Sequence, residues 1–66
     1  MRLTVNGRGF DSERELSVQT LVETITEAGR GVAVAVNGEV VPRSTWAATP
    51  LADGDLVEVL TAAQGG

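Results

Sequence analysis

The chain predicts a small α+β domain in which a mixed sheet of four to five strands lays one face on a single helix, with a flexible C-terminal tail after the last strand. Three observations carry that expectation. Met1-Arg2-Leu3-Thr4-Val5 alternates apolar and polar residues and runs into Asn6-Gly7, a hairpin signal. Val18, Leu21, Val22, Ile25 and Ala28 recur at helical spacing. Val32-Ala33-Val34-Ala35-Val36 is a β-branched run followed by a second hairpin signal, Asn37-Gly38. A hairpin, one crossover helix and further strands, in that order, make a sheet with a helix on one side.

In chain order, Met1, Leu3 and Val5 share one face of the first strand. Residues 10–16 carry Phe10, Ser12, Arg14 and Leu16 in phase, with four charges in seven residues. They are expected as an edge strand returning antiparallel, its charges discouraging edge-to-edge pairing. Ser17 is placed to cap the helix through its hydroxyl, and Leu16 and Leu21 occupy the two positions of a hydrophobic staple. The opposite helix face, Gln19, Glu23, Thr24 and Glu27, reads as solvated, and Gly29 or Gly31 is expected to supply the left-handed residue that ends the helix. The valines of the third run should pack under the helix while its alanines face the far side. Glu39-Val40-Val41 returns, and Pro42 ends the pairing because it has no N–H. Residues 43–50 are irregular apart from one short helical turn over 44–47, with Trp46, the only Trp, as a lid over one end of the core or else a contact residue. Asp53-Gly54-Asp55 is a turn and residues 56–60 form the last strand, with Val57 and Val59 on one face and Leu56, Glu58 and Leu60 on the other. Residues 61–66 would then reach up to about 20 Å beyond the sheet.

Composition narrows the chemistry. Sixty-six residues suit one domain, 1–66, with a small core and no enclosed substrate pocket. There is no Cys, so neither disulfides nor thiolate ligands staple it. Without a basic leader before an apolar run, and with Val32–Val36 as the longest uninterrupted apolar stretch, the expectation is a soluble protein of the cytoplasm. Nine acidic residues against five Arg, net −4, argue against nucleic acid and anionic membrane and favour a partner with a basic docking surface. His, Lys and Tyr are absent, so the usual general bases and the Schiff-base amine are missing. Any chemistry at this chain is then performed by another protein.

The end of the chain carries the functional signal. Gly65-Gly66 presents a carboxylate on a backbone without side chains, able to enter a channel where any Cβ would collide. Two final glycines are otherwise a frayed terminus or a cloning remnant. At average composition, a chance Gly-Gly there has a probability of roughly 0.5%.

The run Val36-Asn37-Gly38-Glu39-Val40-Val41-Pro42-Arg43-Ser44-Thr45-Trp46, the later Asp53-Gly54-Asp55-Leu56-Val57-Glu58-Val59 and the final Gly65-Gly66 resemble the ThiS family, the sulfur carriers of thiamine biosynthesis. The resemblance covers essentially the whole chain. Asp-Gly-Asp with a terminal Gly-Gly is shared by the wider group of ubiquitin-like sulfur carriers, including the small subunit of molybdopterin synthase, which is usually longer and lacks the Pro-Arg-x-x-Trp run. Thr61-Ala62-Ala63-Gln64 departs from the family in being smaller and more polar than the apolar residues expected before the glycines.

The resemblance implies a β-grasp, ubiquitin-like fold and carrier chemistry. An E1-like adenylyltransferase (ThiF-like) would use Mg-ATP to convert the Gly66 carboxylate to an acyl-adenylate. Sulfur from a donor such as a cysteine desulfurase would replace AMP, and the thiocarboxylate would supply a thiazole synthase (ThiG-like). Gly66 would carry the reacting carbon and Gly65 would keep the approach free of side chains. Leu56 and Leu60 are candidate docking contacts, or else pack against residues 43–50. Alternatives are a sulfur carrier for molybdopterin or cysteine synthesis, a ubiquitin-like modifier, and a plain interaction domain.

Overall fold

The computed structural model describes residues 1–27 and 30–62. Its elements are β1 (Arg2–Val5), β2 (Arg8–Asp11), α1 (Val18–Ile25), β3 (Val32–Val36), β4 (Glu39–Val40), a 3₁₀ segment (Arg43–Ala48) and β5 (Leu56–Thr61). The five strands form one sheet in the order β2-β1-β5-β3-β4, with β5 in the middle. β5 runs parallel to β1 and antiparallel to β3, and both hairpins are antiparallel. This is the mixed sheet on one helix that the sequence predicts, and it is a β-grasp arrangement.

The hairpins form where the Asn-Gly pairs put them. Asn6 and Asn37 take positive φ, 51° and 52°, as a two-residue turn of the primed type requires. The first turn fixes Val5 opposite Arg8, so β2 begins at Arg8 and lies further toward the N-terminus than the expected 10–16 strand. The ladder continues to Met1 and Ser12, which exchange bonds of 2.8 and 2.9 Å. There the Ser12 hydroxyl accepts from the Arg14 N–H at 3.1 Å, a local turn that takes the chain out of the sheet.

The helix starts as expected: the Ser17 hydroxyl accepts from the Thr20 N–H at 3.2 Å. It ends earlier than the apolar stripe suggests. Thr26 is already extended at φ −148° and is the C-cap, so Gly31 does not end the helix; Ala28 and Gly29 lie outside the described residues. Thr24-Ile25-Thr26 is a β-branched triplet that disfavours helix, and the Thr24 hydroxyl bonds the Thr20 carbonyl at 2.8 Å. Gly31, at φ +74°, instead leads into β3.

The core is Leu3, Val5, Val18, Leu21, Val22, Val34, Trp46, Leu51, Val57 and Val59. It lies between α1 and one face of the sheet, with Trp46 closing one end as expected. Burying a side chain of this size contributes about 1.5–3 kcal/mol. The helical piece is longer than the expected single turn, covering Arg43–Ala48. Leu51, unassigned by pattern, reaches the core because its N–H bonds the Leu16 carbonyl at 2.8 Å while the Val18 N–H bonds the Thr49 carbonyl at 2.9 Å. Among the described residues no helix is long and apolar enough to cross a membrane.

Candidate functional site

β5 is the strand from which the last residues of the chain emerge, so the site is built outward from it. It runs one residue further than expected: Thr61 pairs with Val32, and the Ala62 N–H bonds the Gly31 carbonyl at 2.6 Å. Gly65 and Gly66 lie outside the described residues. What the structure describes is the scaffold that ends at Ala62.

β5 is held along both edges by the two hairpin asparagines. On the β1 side the Asn6 N–H donates to the Val57 carbonyl at 2.9 Å. The Asn6 side chain then accepts from the Val59 N–H at 2.8 Å and donates to the Val59 carbonyl at 3.0 Å. On the β3 side Asn37 accepts from the Leu56 N–H at 2.9 Å through its side chain, and its own N–H donates to the Leu56 carbonyl at 2.7 Å. Both residues read in the sequence as turn formers only. No local pattern announces the second role, because the partners lie 53 and 19 residues away.

The Asp-Gly-Asp run is also structural. Asp53 accepts from the Arg2 N–H at 2.6 Å and the Gly54 N–H donates to the Arg2 carbonyl at 2.7 Å, tying the start of β1 to the entry of β5. Asp55 accepts from the Ala52 N–H at 2.8 Å and from the Asn37 amide at 3.0 Å. In the other signature run, the Trp46 indole N–H donates to the Val41 carbonyl at 2.9 Å and the Arg43 guanidinium lies 5.4 Å from the indole centroid. That stacks a cation on an aromatic face. Among the described residues no polar or charged side chain is buried, and no group of three or more His, Cys, Asp or Glu is placed to hold a metal ion.

The sheet face away from α1 is the exposed one. Leu56 and Leu60 are 57% and 62% exposed there, so they do not pack against residues 43–50. Leu60 stands opposite Ala33 and Glu58 opposite Ala35, which has Val40 on its other side. Val40, 77% exposed, belongs to the same patch. Its membership follows from the Ala35–Val40 register, which a two-residue strand does not reveal by alternation.

β5 is thus held on both sides and borders an exposed apolar face with one carboxylate in it. The family model of the ThiS family matches residues 3–66. The chain belongs to the ThiS family. A crystal structure of the thiamine biosynthesis protein (ThiS) of Geobacter metallireducens superposes with a TM-score of 0.81 at 39% identity, covering 92% of this chain and 93% of that one. An NMR solution structure of a thiamine biosynthesis protein from the same organism gives 0.77 at 41% identity, covering 91% and 81%. The sulfur carrier protein ThiS of Escherichia coli K12 is 29% identical over 66 residues, the full length of both chains. A thiazole synthase of Paramagnetospirillum magneticum is 33% identical over the same 66 residues, and there this ThiS-family chain spans only 20% of the relative's length.

Proposed function

We propose that this protein is a sulfur carrier of thiamine biosynthesis, a protein co-substrate whose Gly66 carboxylate is activated and sulfurated by partner enzymes. The ThiS-family match through Gly66 carries the reading. A carboxylate is a poor electrophile because its charge is delocalised and its leaving group would be oxide. In the proposed sequence a carboxylate oxygen attacks the α-phosphorus of ATP on an E1-like enzyme, pyrophosphate leaves, and an acyl-adenylate forms. A sulfur nucleophile then forms the C–S bond while AMP departs with the electron pair of the broken C–O bond. If the sulfur arrives as a persulfide, a thiol reductant cleaves the acyl disulfide to release the thiocarboxylate.

Magnesium and ATP belong to the activating enzyme. The acceptor is a thiazole synthase, a reading favoured by the relative of that name that contains a stretch similar to this whole chain. A cysteine desulfurase fits as the sulfur source, and the cytoplasm as the compartment. Leu56 and Leu60 form the docking face, and Gly65 keeps the approach to Gly66 clear. Coexpression with an E1-like enzyme and a sulfur donor, followed by intact-mass measurement, should show a gain of roughly 16 Da as oxygen is exchanged for sulfur. An unchanged mass would count against the proposal, and high-mass conjugates would point to a protein modifier.

A further inference from the structure

A parallel ladder between β1 and β5 cannot continue past Asn6, because the chain turns there. In a continued ladder the Val59 N–H would bond the main-chain carbonyl of residue 6 and the Val59 carbonyl would accept from the N–H of residue 8. The Asn6 carboxamide supplies both bonds instead, at 2.8 and 3.0 Å. It extends the pairing of β5 by one step with a side chain, on the edge that β1 has left. From the other edge, Gly31 holds Ala62 through the 2.6 Å bond to its carbonyl. A Cβ at Gly31 would stand 2.8 Å from the Ala62 Cβ, and its φ of +74° is itself strained for any other residue. The last described turn of chain before the tail therefore sits in a collar, Asn6 on one side and Gly31 on the other.

We propose that Asn6 and Gly31 are positioning residues for activation: they fix where the tail leaves the sheet and so the depth at which Gly66 arrives in the activating enzyme. This rests on the sulfur-carrier reading. Residues 63–66, threaded extended, reach at most about 13–14 Å, and a slip of one strand residue at the root is about 3.3 Å. That is a quarter of the reach, while a misplacement of about 1 Å already costs on the order of a hundredfold in some reactions.

The test is pyrophosphate exchange into ATP by the purified E1-like enzyme, with the full chain as the varied substrate. Asn6→Gly removes the carboxamide yet keeps the positive-φ turn, and Gly31→Ala disturbs the collar independently from the opposite edge. Assayed well below their unfolding transitions, each should lower kcat about ten- to a hundredfold and leave KM within about twofold, since the docking face is untouched. In Asn6→Gly the Val59 amide should also lose hydrogen-exchange protection while the Ala35 amide, paired with Glu58 in the β3–β5 ladder, keeps it. A merely structural role predicts unchanged kcat in the folded variants, and that result overturns the inference while leaving the carrier reading in place. If the unaltered chain supports no exchange, both fall. If Asn6→Gly proves unfolded, Gly31→Ala decides: unaltered kcat in that variant, once folded, overturns the collar.

Discussion

Substitution of Leu60 and Leu56 should separate docking from folding. Replacing either with Ala removes an isopropyl group, about three carbons worth about 0.8 kcal/mol each when buried. The two residues are 62% and 57% exposed in the free protein, so about 1.4 kcal/mol per site remains to be gained on docking. That is about tenfold in affinity for each variant. The sites are four residues apart on one strand, roughly 13 Å, far enough for the effects to add. The double variant should therefore dock about a hundredfold more weakly. Its folding stability should fall by about 1 kcal/mol per site, the share of each group that folding already removes from water. Calorimetric titration against the activating enzyme reads the first quantity. Urea unfolding followed by the fluorescence of Trp46, the sole tryptophan, reads the second. Wild-type affinity in the folded double variant would refute the docking face. A loss of several kcal/mol in stability would refute the exposure on which the magnitude rests.

The remaining predictions concern core, cap and tail. Leu21→Ala, at a fully buried position, should destabilise by about 2–5 kcal/mol, a large share of the total for a domain this size and visible as a lowered urea midpoint. Ser17→Ala should cost about 1 kcal/mol by leaving the Thr20 N–H without its cap, measured the same way. Gly66→Ala should leave the urea midpoint unmoved and slow pyrophosphate exchange at least about tenfold, and full activity in that variant would remove the steric role of the final glycine.

Most of the layered architecture was legible in the sequence because it is encoded locally. Both Asn-Gly turns, the Ser17 cap, the helical stripe and the alternation of Leu56, Glu58 and Leu60 against Val57 and Val59 are read within a few residues of themselves. The helix end was legible too, in the β-branched Thr24-Ile25-Thr26, but the apolar periodicity running on to Ala28 masked it. The expected return strand over 10–16 lies too late because it rests on a weak alternation in which only Phe10 and Leu16 are apolar, whereas the register is already set by the turn at Asn6-Gly7. The placement of β5 between β1 and β3, and the use of Asn6 and Asn37 to hold it, depend on partners far away in sequence, for which no periodic signal exists. Leu56 and Leu60 were recognisable as outward-facing, while Val40 joined them only through sheet register.

The residues that mark the family here and the residues that would do its chemistry are nearly disjoint, and the geometry gives a reason. Val41, Trp46, Asn37, Asp53 and Asp55 spend their polar groups on main-chain and side-chain bonds that lock the turns against the sheet. Asp53 and Gly54 tie β1 to the entry of β5, Asn37 and Asp55 fix its first residue, and Asn6 fixes its fourth. A carrier that supplies only a carboxylate needs no acid, base or metal of its own, since the partner enzymes bring them. It does need the carboxylate to arrive at a reproducible depth, and a rigid final strand is the part of the chain that can set it. On the sulfur-carrier proposal, the recognisable motifs of this small domain serve delivery, and the reacting end needs little beyond a bare backbone.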